Sequence, residues 1–143
     1  MSCADTVTVL LVEDDDVDRR VVHRAFAQRG LANPIVDASD GTEALETLRG
    51  EHGRGPLPRP YLVLLDLNMP GMNGMAFLEE IRRDDELKDV VVFVLTASRD
   101  EQDRVQAHRL NVAGYMVKAD VGTEFIKTVE MLDRYWRVVE FPC

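Results

Sequence analysis

Four stretches of the chain carry apolar residues without alternation, and each stops at a polar or charged side chain. Thr6-Val7-Thr8-Val9-Leu10-Leu11-Val12 runs into Glu13-Asp14-Asp15-Asp16, and Tyr61-Leu62-Val63-Leu64-Leu65 runs into Asp66. Val90 to Leu95 ends at Thr96-Ala97-Ser98, and Ala113-Gly114-Tyr115-Met116-Val117 ends at Lys118. Runs of this kind read as strands buried on both faces, as in parallel sheets covered by helices. Pro34-Ile35-Val36-Asp37-Ala38 adds a shorter strand.

Between these runs the period changes to that of a helix. Val17, Val21, Val22, Ala25 and Phe26 make one apolar stripe, with Asp15 or Asp16 placed to cap the first amides and Gly30 to end the helix. Asp40-Gly41 opens a second helix with Ala44, Leu45 and Leu48 on one face. Ala76, Phe77, Leu78 and Ile81 predict a third, from Asn73 or Gly74 to Arg83-Asp84. Residues 100 to 110 are helical by length and cap, but only Val105, Ala107 and Leu110 are apolar, so that helix is weakly anchored, as elements that move tend to be. Residues 122 to 137 carry Phe125, Ile126, Val129, Leu132, Tyr135 and Trp136, a strong final amphipathic helix. Five strands alternating with five helices mean right-handed crossovers and one parallel sheet with helices on both faces.

Two segments stand outside that alternation. Residues 50–60 hold three glycines and three prolines and predict a long exposed loop, functional or a tolerated insertion. The tail Val138-Val139-Glu140-Phe141-Pro142-Cys143 is apolar enough to want burial, within the chain or between two copies. The 143 residues fit a single domain of ordinary globular composition.

Charge narrows the partners. A net charge of -9 argues against an electrostatic grip on nucleic acid or anionic lipid, both polyanions. No apolar run is long enough to span a membrane and the N-terminus lacks a signal-peptide pattern, so a cytoplasmic protein is expected. Cys3 and Cys143 lie at the two ends and His23, His52 and His108 are scattered, which makes a zinc site improbable.

The chemistry sits where strands end. Pro70-Gly71 and Asn73-Gly74 allow neither strand nor helix to continue, so Asp66 belongs at a carboxyl edge, where open α/β sheets bind ligands. A capping role in the loop is the plainer alternative for Asp66, and capping accounts for one or two of the four acids at 13–16. Glu13-Asp14, Asp66, Thr96 and Lys118 all project from one edge. Carboxylates about 5 Å apart repel by about 3 kcal/mol per pair at an effective dielectric near 20, so something must offset them. Lys118 and a divalent cation together balance Glu13, Asp14 and Asp66, and an all-oxygen set suits magnesium. Asp66 would be the nucleophile of a phosphoryl transfer, with Thr96 and Lys118 meeting the phosphoryl oxygens. No residue is suited to protonate a leaving group, so the chain would accept a phosphoryl group rather than turn over a substrate.

With those residues in order, the chain resembles the receiver domain of two-component response regulators over about residues 6–137. The resemblance rests on Glu13-Asp14, on Leu65-Asp66-Leu67-Asn68-Met69-Pro70-Gly71-Met72-Asn73-Gly74, on Thr96-Ala97, and on Gly114-Tyr115-Met116-Val117-Lys118. It implies a flavodoxin-like sheet of order 2-1-3-4-5, an arrangement known from the chemotaxis receiver. It also implies that Asp66 takes its phosphoryl group from a sensor histidine kinase or phosphotransfer protein. By the same carry-over, Asp14, Asp66 and the backbone carbonyl of Asn68 hold Mg2+, Glu13 does so through water, and Tyr115 is the aromatic partner of Thr96 in the switch. One departure is Ala119, where the receiver pattern has proline after the lysine, so the Lys118-Ala119 peptide is free to be trans.

A narrower likeness is to the stand-alone response regulators of phytochrome kinases. It rests on Asp66-Leu67-Asn68, the loop at 50–60, and the segment from Trp136 to Pro142. That likeness implies a light-regulated kinase and a homodimer through the last helix and tail. Two rival functions remain. One is a receiver-like module that binds partners without phosphate. The other is a magnesium-dependent phosphatase with an aspartyl nucleophile, which would need a second acid where Asn68 stands.

Overall fold

The structure, a computed structural model, describes residues 7–54, 56–69, 71–97, 100–118, 131 and 134. Strands β1 (Thr8–Val12), β2 (Ile35–Ala38), β3 (Tyr61–Leu65), β4 (Val91–Thr96) and β5 (Gly114–Val117) alternate with helices α1 (Asp16–Gln28), α2 (Gly41–Arg49), α3 (Gly74–Arg83) and α4 (Glu101–Arg109). The strands form one parallel sheet of order β2-β1-β3-β4-β5. Val9 pairs with Ile35, Thr8 with Tyr61, Leu62 with Val91 and Phe93 with Gly114. The predicted helix at 122–137, the tail at 138–143 and the Lys118-Ala119 peptide lie outside the described residues, apart from Met131 and Arg134, both helical.

The period of two along each strand divides the interior into two cores. Leu10, Val12, Val63, Leu65, Val92 and Val94 face α2 and α3, where Phe77, Leu78 and Ile81 are buried. Val9, Leu11, Leu62, Leu64, Phe93 and Leu95 face α1, against Val22, Ala25 and Phe26. Every residue of β3 is buried, which explains its unbroken apolar run. A one-residue slip would exchange the two faces of a strand, so packing on both sides holds the register.

The helix termini follow local chemistry. The Asp15 carboxylate accepts from the amides of Val17 and Asp18, so Asp15 rather than Asp16 is the cap of α1. Gly30, with φ +69°, lets the chain leave α1 while Leu31 N–H reaches back to the Phe26 carbonyl. Asp40, Asn73 and Asp100 cap α2, α3 and α4 in the same way.

Two sequence expectations need correction. Val17 and Val21 do not belong to the buried stripe of α1. They are 63% and 36% exposed, because the face that α1 turns to the sheet is the one carrying Val22, Ala25 and Phe26. The loop at 50–60 is not exposed throughout. Leu57 inserts into the α2/α3 core and Pro60 is buried, while Arg54 pairs with Glu43 and Glu46 on α2. The weak anchoring of α4 agrees with its apolar count, since Ala107 is its one buried residue.

Candidate functional site

The acids at the sheet edge are placed by backbone pairing. Glu13 N–H bonds the Ala38 carbonyl at 2.9 Å and Asp66 N–H bonds the Val12 carbonyl at 3.0 Å, extending the ladder one residue past the strands. Glu13 and Asp66 are therefore held side by side at the ends of adjacent strands, 3% and 4% exposed. Asp14, one residue on, is exposed. Gly74 keeps the loop after β3 tight. A Cβ there would lie 2.2 Å from the Asp66 carbonyl oxygen and 2.6 Å from Leu67 Cα, so the first turn of α3 rests directly on the backbone of the Asp66 loop.

Both oxygens of Asp66 are engaged. Thr96, fully buried at the end of β4, donates its hydroxyl to Asp66 Oδ1 at 3.0 Å, and the Asn68 amide donates to the same oxygen at 3.1 Å. Lys118 Nζ donates to Asp66 Oδ2 at 3.2 Å, to Glu13 Oε2 at 2.8 Å and to Asp18 Oδ2 at 2.7 Å. The structure thus brings Glu13, Asp14, Asp66, Thr96 and Lys118 to one place. Asn68 reaches it through its backbone, and its side chain is exposed. Ala97 follows Thr96 at the exposed rim. Tyr115, half-buried on β5 opposite Val94, has the Arg104 guanidinium of α4 5.3 Å from its ring centroid.

Asp18 was missed by sequence reasoning. It sits on the first turn of α1 and looks there like one more solvated acid. The only signal was its place in the first turn of α1, directly after the acidic cluster at 13–16.

Electrostatics separate the charged groups. Burial, with Asp66 adding to it, pushes the Glu13 carboxyl up to about 7 against the lowering pull of Lys118. For Lys118, burial works to lower the ammonium, but the bonds to Asp18 and Glu13 and the charge of Asp66 overcome it and hold the group above its usual range. Carboxylate oxygens of Glu13, Asp14 and Asp66 lie within 4.8 Å of one another, close enough for one small cation to bind all three. The donors are all oxygen and two of the three acids are buried, which fits a hard divalent ion and not a thiolate- or imidazole-seeking one. Chemically the arrangement offers a fixed carboxylate nucleophile, a hydroxyl and an ammonium at its two oxygens, and a cation site beside it.

Comparison with known proteins agrees with that chemistry. The pattern of the response regulator receiver domain matches residues 9–130. Response regulator Rcp1 of Synechocystis sp. is 33% identical over 128 residues, covering 90% of this chain and 87% of that protein. Among solved structures, the phosphorylated cyanobacterial phytochrome response regulator RcpA superposes with a TM-score of 0.86 at 32% identity, over 96% of this chain and 99% of that one. The Mn2+-bound form of Rcp1 gives a TM-score of 0.84 at 32% identity, again over 96% and 99%.

Proposed function

The chain belongs to the response regulator receiver domain family, and from that premise we propose that it accepts a phosphoryl group on Asp66 from a phosphohistidine of a sensor histidine kinase. By similarity to the phytochrome response regulator RcpA the donor is of the phytochrome type. The observation that carries this reading is the convergence of Thr96 Oγ1 and Lys118 Nζ on the two oxygens of a buried Asp66, 3.0 Å and 3.2 Å away.

In the transfer, an Asp66 oxygen forms the bond to phosphorus as the P–N bond breaks. The electron pair of that bond stays on the imidazole nitrogen, which takes a proton from solvent. Asp14, Asp66, the backbone carbonyl of Asn68 and, through water, Glu13 would hold Mg2+, which would supply positive charge to offset that of the phosphoryl oxygens. Lys118 supplies the second positive charge, and the Thr96 hydroxyl, with the Ala97 end of β4, receives a phosphoryl oxygen. Among the described residues none stands beside Asp66 as a general acid for a leaving group, which supports reading Asp66 as an acceptor and not a turnover catalyst.

Drawing Thr96 towards the phosphoryl group withdraws its hydroxyl from the Asp66 carboxylate and opens space beside β4 that Tyr115 can enter. Tyr115 would then leave Arg104, and α4, held by Ala107 and by little else that is apolar, would shift. The output is a protein-binding surface made by α4 and β5. We place the protein in the cytoplasm, where such kinases present their phosphohistidine, and infer a homodimer through the segment at 122–143, for which the sequence predicts a helix and an apolar tail. No helix of the described residues is long and apolar enough to cross a membrane.

The test is incubation with phosphoramidate and MgCl2, followed by intact mass and hydroxylamine lability. Wild type should gain one labile phosphoryl group and Asp66→Asn none. No uptake by wild type would leave the phosphate-independent module standing, and steady release of phosphate from a phosphomonoester would indicate the hydrolase.

A further inference from the structure

Lys118 is held by three carboxylates, and only two of them belong to the set that could hold a cation. A primary ammonium has three N–H donors, and here they meet Asp18, Glu13 and Asp66, with the Asp18 contact the shortest at 2.7 Å. Once the site is loaded, two of these acceptors have other tasks. The Asp66 carboxylate would become an acyl phosphate, and Glu13 would turn its charge towards a cation held with Asp14 and Asp66, whose carboxylate oxygens lie within 4.8 Å of its own. Asp18 stands outside that trio, and its Oδ2 faces the Lys118 ammonium.

The geometry points to Asp18 as a positioning residue of the phosphoryl-transfer site: from α1 it anchors the Lys118 ammonium beside Asp66, so that the charge stays in place when cation and phosphoryl group claim the other carboxylates. This inference rests on the reading of Asp66 as phosphoacceptor.

Asp18 is itself fixed. Its amide is bound by the capping Asp15 carboxylate at 3.2 Å, and α1 is seated on the sheet through Val22 and Phe26. Lys118 is mostly buried beside Asp18. The cavity shared by the two residues, lined also by Val22, Leu64 and Leu95, measures about 10 Å³, which admits one water at most. The pair joins residues 100 positions apart in the chain, tying the end of β5 to the start of α1 across the mouth of the site. Asp18 is 40% exposed and Lys118 18%, so the bond contributes placement more than stability.

The experiment measures the rate of phosphorylation by phosphoramidate in saturating Mg2+ for wild type, Asp18→Ala, Asp18→Asn and Asp18→Glu, each also in a Lys118→Ala background, with urea unfolding of every variant. Losing a charge-assisted hydrogen bond should slow Asp18→Ala about tenfold, while Asn, a neutral acceptor, loses about threefold and Glu recovers most of the rate. In the Lys118→Ala background all Asp18 substitutions should be silent, because an anchor without its lysine has nothing to position. Equal slowing in both backgrounds, or rates that follow the urea midpoint instead of the charge at position 18, would overturn the anchoring role. Asp18→Ala as fast as wild type would do the same. A wild-type protein that takes up no phosphoryl group would overturn the phosphoacceptor reading itself, an outcome distinct from a phosphorylated protein indifferent to Asp18.

Discussion

Asp14→Asn should stabilise the protein without metal and leave it the less stable form in magnesium. The Asp14 carboxylate lies within 4.8 Å of carboxylate oxygens on Glu13 and Asp66. Unit charges at about that distance repel by about 3.5 kcal/mol at an effective dielectric of ~20 and by about 0.9 kcal/mol in bulk water. Asp14 is exposed, so the value in water is the better guide, and salt reduces it further. Relief against Asp66, with a smaller share from the partly protonated Glu13, comes to about 1 kcal/mol. Magnesium at about a hundred times its dissociation constant adds about 2.7 kcal/mol to wild type by mass action. The variant, short of one charged ligand, gains much less, and the order of stabilities inverts. Urea unfolding followed by far-UV circular dichroism, in EDTA and in MgCl2 at matched ionic strength, reads both signs. A variant less stable than wild type in EDTA would refute the repulsion, and an undiminished gain from magnesium would remove Asp14 from the cation site.

Three other outcomes follow from the same site. Gly74→Ala should cost about 2–3 kcal/mol in urea unfolding and slow phosphorylation, because its Cβ would meet the Asp66 carbonyl at 2.2 Å and the loop must move; wild-type stability in this variant would contradict the close packing. Thr96→Val removes the hydroxyl bonded to Asp66 Oδ1 while the Asn68 amide still serves that oxygen, so a loss of about 1 kcal/mol is expected, with phosphoryl uptake retained and the shift of Tyr115 abolished, as read by aromatic NMR. Glu13 is raised from 4.5 to about 7, so between those values the folded protein binds more protons than the unfolded chain. The stability it contributes is full below pH 4.5 and is lost as pH rises through about 7. In EDTA, wild type should therefore lose ground to Glu13→Gln over that interval, and magnesium binding should tighten; parallel pH profiles for the two proteins would count against it.

The site was legible to the extent that it is built from strand ends. Where an apolar run stops is a local property, and in a parallel sheet all carboxyl ends share an edge, so Glu13, Asp66, Thr96 and Lys118 could be placed together before any coordinates. The capping residues Asp15, Asp40, Asn73 and Asp100 were equally local, since a cap is decided within four residues. Leu57 was hidden because glycine and proline around it signal a loop and say nothing about one side chain turning inward. Val17 and Val21 misled in the opposite sense. Helical spacing identifies a face but not how much of that face the sheet beneath can cover.

Taken alone, the order of apolar runs and their terminal residues determined a parallel sheet covered on both faces and the gathering of Glu13, Asp66, Thr96 and Lys118 at one edge of it, because those features depend on periodicity and on the edge rule of parallel sheets. The tertiary structure alone decided that Asp18, one acid among many on a first helical turn, reaches Lys118 from 100 residues away. That contact depends on how α1 is rotated and seated over β1 and β3, and no spacing along the chain encodes a rotation set by packing.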